Sequence, residues 1–178
     1  MKLFFMRHGQ TNYNELGLCN DDPQKDVHLT SPGKLQAHQV AKKLKNEDID
    51  IIVVSELPRT RQTAEIINKN HRVPILTHPL LNDIRTGMDG KPVTDYFAQT
   101  ESDPLHISLP GGESLLDYKK RVQQYFDWLK QQDYRCILTV AHEETLRVFY
   151  AWFNHTPDEQ LRKLHFDNCE VLSYEFNK

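Results

Sequence analysis

Three short stretches of this chain place reactive side chains directly after apolar runs. Arg7-His8-Gly9 follows Leu3–Met6, Ser55 to Arg61 follows Ile49–Val54, and Ala141-His142-Glu143 ends the run that begins at Cys136. A single histidine after a buried strand is usually a packed structural residue. Two of them, each near arginines, point to chemistry. Guanidinium groups repel one another, so bringing Arg7 and Arg59 together is favourable only around an anion. A phosphoryl group is the natural one, because its oxygens match planar N–H forks that stay charged at every relevant pH.

These stretches need a frame that brings them together. Leu3–Met6 reads as a short buried strand, and Ile49–Val54 as a second, apolar on almost every residue as strands covered on both faces are. Pro74–Thr77 is a candidate third, Cys136–Ala141 is the clearest, and Val171–Phe176 alternates like an edge strand. Thr30-Ser31-Pro32-Gly33 opens a helix carrying Leu35, Val40, Ala41 and Leu44 at helical spacing. A second helix begins near Pro58 and turns Thr63, Ala64 and Ile67 inward. Gly111–Ser114 launches a long one through Leu115, Tyr118, Val122, Tyr125, Phe126 and Leu129, and the last carries Leu146, Val148, Phe149 and Trp152. Strands alternating with helices predict an α/β fold, a three-layer sandwich with a mostly parallel central sheet flanked by helices. Sites on such sheets lie outside the carboxyl ends of the strands, where the two histidines and two arginines would share one crevice.

The chain has 178 residues, which suits one domain spanning 1–178. Gly87, Gly90, Pro92, Pro104 and Pro110 punctuate residues 84–110, which read as a cap or substrate loop with a short helix near Val93–Gln99. Hydrophobic residues make up 38% and charged residues 26%, a balance that excludes a disordered chain. The net charge is −3 with no basic block, so a nucleic-acid partner is not expected. The longest strongly apolar stretch, Ile51–Val54, falls far short of the ~20 residues of a membrane span, and Arg7-His8 interrupts any signal-peptide core. Three widely spaced cysteines, Cys19, Cys136 and Cys169, suit neither a disulfide framework nor a metal or redox pair and fit a reduced cytoplasmic protein. His142-Glu143-Glu144-Thr145-Leu146 begins like a zinc-binding HExxH but has leucine at the second ligand position, and no metal or cofactor is expected. The other seven histidines read as surface or packed polar residues.

Arg7-His8-Gly9-Gln10-Thr11, within Phe4 to Asn14, closely resembles the RHG signature of the histidine phosphatase superfamily, in its phosphoglycerate mutase-like branch. Ser55-Glu56-Leu57-Pro58-Arg59-Thr60-Arg61-Gln62-Thr63-Ala64, Leu109-Pro110-Gly111-Gly112-Glu113-Ser114, and Ala141-His142 with Arg147 following fit the same family in the same order. One tripeptide would mean little; four ordered segments across nearly the whole chain are specific.

The resemblance implies that His8 is the nucleophile and is transiently phosphorylated. Imidazole must be neutral to attack phosphorus, and Arg7 and Arg59 would hold it so while binding the equatorial oxygens. His142 matches the family's second, phosphate-contacting histidine, Asn14 a phosphate-contacting asparagine and Thr11 a nearby hydroxyl donor. A helix cap is the competing reading of Asn14 and is set aside here; for Arg61 a plain surface charge is preferred. Asp83 stands where the family's proton-transferring carboxyl follows the third strand, although this branch more often has glutamate, one methylene longer. Glu143 and Glu144 depart from the small residues usual after the second histidine. The Glu143 backbone N–H remains a phosphate donor. The two carboxylates would point away, pair with Arg147, raise the proton affinity of His142, or meet a cationic or hydroxyl-rich substrate.

The expected activity is metal-independent hydrolysis of a small-molecule phosphomonoester. A phosphoglycerate mutase and a non-catalytic binder of phosphorylated ligands are the alternatives. The segment from Asp83 to Pro110 is short and polar, so water should reach the intermediate, which favours hydrolysis. Residues 18–25 and 85–106 should line the mouth, with Arg85, Lys91, Tyr96 and His106 near the leaving group.

Overall fold

Residues on the buried strands point alternately to two faces, and each face has its own pair of helices. In the computed structural model, which describes residues 1–176, strand β1 (Lys2–Arg7) turns Leu3 and Phe5 to one side and Phe4 and Met6 to the other. β2 (Ile51–Val54) divides in the same way, Ile51 and Val53 against Ile52 and Val54. With β3 (Ile75–Thr77), β4 (Cys136–Ala141) and β5 (Val171–Glu175) they form one sheet in the order β3-β2-β4-β1-β5. All neighbours are parallel except β5, which runs antiparallel to β1 at the edge. The last two residues of the expected 1–178 span lie outside the described residues.

Helices α2 (Ser31–Leu44) and α3 (Pro58–Asn68) cover the face of Phe4, Met6, Ile52 and Val54. Helices α5 (Leu115–Lys130) and α6 (Glu143–Asn154) cover the other face with Tyr118, Tyr125, Phe126 and Phe149. Phe5 and Phe149 stack at 3.8 Å between centroids, locking α6 to β1. The result is the three-layer α/β sandwich expected, with a mostly parallel sheet. Two apolar assignments differ. Leu35 is 60% exposed because the buried stripe of α2 runs through Gly33, Ala37, Val40, Ala41 and Leu44, and Leu35 lies off it. Trp152 is 39% exposed and rests its ring against Phe126 at the rim of the core.

The polar stretch after β1 is not all loop: Asn12–Leu16 forms a short helix, α1, started by a capping box between Thr11 and Asn14 and ended by Gly17 at φ 64°. Residues 84–110 contain α4 (Val93–Thr100), stitched to the 17–19 segment through Val93 N–H to Gly17 O and Cys19 N–H to Lys91 O. Gly9 and Gly33 let the turn after β1 press on the start of α2. A Cβ on Gly9 would stand 2.5 Å from Gly33 O, and one on Gly33 would stand 2.0 Å from Gln10 O.

Candidate active site

Sheet register decides which strand ends meet. Arg7 pairs with Ala141 across β1 and β4, and Val54 pairs with Val140 across β2 and β4. The residues that follow, His8, His142 and Ser55, therefore emerge side by side. The His8 and His142 rings lie 5.4 Å apart at a steep angle, both buried. Pro58 at the first turn starts α3 immediately after β2, so that Arg59 reaches over the same strand ends with 3% exposure.

One guanidinium joins the group. Arg59 Nε–H donates to His8 Nε2 at 3.1 Å, and Nη2 donates to His142 Nδ1 at 3.2 Å and to Asp83 Oδ2 at 2.9 Å. These donors set the tautomers, because each ring nitrogen facing Arg59 must accept. His8 then carries its proton on Nδ1 and gives it to Gly9 O at 2.8 Å; His142 carries its proton on Nε2, 3.0 Å from Ser55 Oγ. Both rings are neutral. Burial, followed by the charge of Arg59, holds the proton affinity of each well below the ordinary histidine value. His8 Nε2 thus keeps a lone pair in the cavity, which is the form of imidazole that attacks phosphorus.

Arg7 lines the same cavity. Its Nη1 bonds Phe166 O at 2.6 Å and pairs with Glu143 Oε2 at 2.9 Å, while its buried Nε–H has no partner among the described residues. Helix α6 begins at Glu143 with no side-chain cap over its first turn, so backbone N–H groups there are open to an anion. Asp83 Oδ1 accepts from the Ile84 N–H, and Oδ2 lies 3.5 Å from His142 Nδ1. Thr11 and Asn14 line the cavity, but the capping role set aside for Asn14 is present: its Oδ1 accepts from Thr11 N–H at 3.0 Å. A side chain three residues after an N-cap threonine is well placed to close that box, and the amide nitrogen is left for a ligand.

A cavity of about 350 Å³ opens over these groups. Its walls include His8, Arg59, Asp83, Glu143, Glu144 and Arg147. Among the described residues no group of three or more metal-ligating side chains stands together. A model of the histidine phosphatase superfamily, branch 1, matches residues 3–178. The chain belongs to that family. A putative phosphoserine phosphatase from Hydrogenobacter thermophilus is 29% identical over 96% of this chain and 87% of its own length. A probable phosphoglycerate mutase from Yersinia enterocolitica is 26% identical over 100% of this chain and 86% of its own. The alpha-ribazole phosphatase structure from Shigella flexneri superposes with a TM-score of 0.89 at 24% identity, covering 100% of this chain and 92% of that one. Membership of the histidine phosphatase family, with phosphatases among its relatives, supports a phosphoric monoester hydrolase.

In this histidine phosphatase the two acidic residues after His142 are held by arginine. Arg147 splits its fork between Glu143 Oε1 at 2.9 Å and Glu144 Oε1 at 2.6 Å, and also donates to Leu164 O. Glu143 further forms an ion pair with Arg7 and contacts His165. Burial pushes the Glu144 carboxyl up against the opposing pull of Arg147. Of the mouth residues expected from sequence, Tyr96 lines the cavity. Arg85, Lys91 and His106 do not: Arg85 is drawn to Glu113, and His106 to Asp103 in its own turn. Arg61 lies on the exposed side of α3 and bonds Thr77.

Several residues of the site escape a reading of sequence. Asn20 lies in the 18–25 stretch expected at the mouth, but its grip on Arg59, which donates to both its side-chain and backbone oxygens, has no signal in the sequence. His165, 157 positions after His8, reaches the cavity through Glu143. Arg121, on α5, braces the turn that carries Asp83. Its Nη1 donates to Leu80 O and Asn82 O at 2.9 Å each, and its Nη2 to Asp83 O at 3.2 Å. Glu113 pairs with Arg121 and accepts from Arg85 N–H, which ties the other end of the turn. The Gly111-Gly112-Glu113-Ser114 signature contained the signal for Glu113; nothing marked Arg121.

Proposed function

We propose that this chain hydrolyses phosphomonoesters of small metabolites, through a phosphohistidine on His8 and without a metal ion. The observation that carries the reading is the single guanidinium of Arg59 holding His8 Nε2, His142 and Asp83 together, with His8 neutral. Phosphoryl oxygens take over the Arg59 donors and the free Nε–H of Arg7, with Asn14, Thr11 and the Glu143 N–H as further contacts, while His142, whose proton points to Ser55, acts by holding Arg59. That releases Nε2 and frees Asp83 from Arg59; Asp83 takes up the proton that a monoanionic ester carries in and passes it to the leaving oxygen as Nε2 attacks phosphorus in line and the ester P–O bond breaks. Water then attacks the phosphohistidine, Asp83 takes the water's proton, and phosphate departs with His8 restored. Positive charge from Arg7 and Arg59 does the work a metal would otherwise do. Residues 84–110 act as the cap, since Ile84, Thr86, Val93, Tyr96 and Phe97 all line the cavity. Three buried, unbridged thiols support a reducing, cytoplasmic setting. The name of the Yersinia relative keeps phosphoglycerate mutase as the second reading.

The test is release of phosphate from p-nitrophenyl phosphate in the presence of EDTA. The wild type should turn over and form an acid-labile phosphoprotein; His8→Ala should do neither. Turnover that needs added metal, or survives in His8→Ala, removes the mechanism. Bisphosphate-primed interconversion of 3- and 2-phosphoglycerate would favour the mutase.

A further inference from the structure

The end of the cavity away from His8 differs in character from the phosphoryl end. Leu18, Val27, Val93, Tyr96 and Phe97 give it an apolar wall. Of the three arginines in the lining, Arg7 and Arg59 face the phosphoryl position, and Arg147 is shared between Glu143, Glu144 and the Leu164 carbonyl. Arg162 stacks over the Tyr96 and Phe97 rings at 5.1 and 5.0 Å and does not itself line the cavity. Among the described residues this leaves no unpaired arginine or lysine lining that end to receive an anionic leaving group, and His165, also in the lining, is held by Glu143 and Asp167. Glu144 shares one guanidinium with Glu143 and keeps a carboxylate oxygen with no partner. A carboxylate on the substrate would lie close to the Glu143–Glu144 pair, which share the one guanidinium of Arg147, in a poorly hydrated space where like charges repel strongly.

We infer that the leaving-group end of this cavity selects phosphomonoesters of uncharged alcohols with an apolar face and rejects those whose alcohol carries a carboxylate, with Glu144 as the rejecting group and Phe97 part of the accepting wall. The inference rests on the phosphatase reading and narrows it: phosphoglycerates fall outside the substrate class, and esters of aromatic or part-apolar alcohols fall inside.

The experiment compares kcat/KM for glycerol 3-phosphate and 3-phosphoglycerate, which differ by an alcohol against a carboxylate, with phenyl phosphate as the apolar probe. The wild type should prefer glycerol 3-phosphate by about tenfold or more, the scale of one close like-charge contact. Glu144→Gln should reduce that ratio several-fold. Because both substrates are read on one protein, a general loss of activity cancels. Phe97→Ala, a change at a side chain already 41% exposed, should lower the ratio of phenyl phosphate to glycerol 3-phosphate. A wild type that accepts 3-phosphoglycerate equally well overturns the inference, as does a ratio unmoved by Glu144→Gln. An unmoved phenyl ratio in Phe97→Ala removes the apolar wall. If the wild type cleaves none of the three substrates and p-nitrophenyl phosphate as well, the phosphatase reading has failed instead.

Discussion

Arg59 is the residue on which the site turns, because five of its contacts reach four different parts of the chain. Asp83 competes with substrate for that guanidinium, so its role can be separated from binding. Asp83→Asn should lower turnover by about 10²-fold or more while inorganic phosphate still inhibits at similar concentrations. Equal losses in both would remove Asp83 from proton transfer. The neutral histidines make a further prediction through linkage. Unfolded, His8 and His142 take up protons near pH 6.5, whereas folded they do so only at much lower pH. The unfolded state thus binds more protons below that pH, and stability falls as the solution is acidified through this range. The melting temperature should drop between about pH 7.5 and pH 5, and drop less steeply in His142→Asn, which has no titrating ring there. A slope identical to wild type would mean that His142 takes up its proton equally in the folded and unfolded states.

At the scale of elements, two devices hold reactive loops against helices. Arg121 and Glu113 fasten the 80–85 turn through its backbone, so they act on Asp83 without touching substrate. Arg121→Met should reduce kcat more than it raises KM, and Arg121→Lys should recover part of the loss; matching changes in kcat and phosphate inhibition would make the role purely structural. Gly33, under the turn that carries His8 to Gln10, admits no side chain. Gly33→Ala should destabilise by about 2 kcal/mol or more in urea unfolding, because backbone atoms have no rotamer with which to give way. Most elements were legible before any coordinates: apolar runs set the strands, and Pro58, Thr30 and Ser114 mark helix starts. Helix α1 was not, because five mostly polar residues carry no periodicity and only the Thr11–Asn14 box announces them.

Over the whole molecule, the cavity is assembled from segments far apart in sequence, and filling it should couple them. Inorganic phosphate or vanadate should raise the melting temperature in proportion to the logarithm of its concentration, by about 2.7 kcal/mol of stability at 100 times its Kd. Arg59→Met should abolish the shift, and a shift that persists would place the anion elsewhere. The family signature already named His8, Arg7, Arg59 and His142, because reactive residues at strand ends are tied to patterns that local sequence shows. It did not reveal what surrounds them. Asn20 beneath Arg59, Arg121 behind Asp83 and the commitment of Arg147 to two carboxylates are contacts between stretches with no shared period, and only packing brings them within reach. Sequence alone thus determined the strands, the helices and the reactive groups at their ends, since hydrophobic spacing and strand termini are local properties. Tertiary structure decided which rings carry which proton, how the acid is held and what charge faces the leaving group, since hydrogen bonds and fields depend on distances that chain order does not encode.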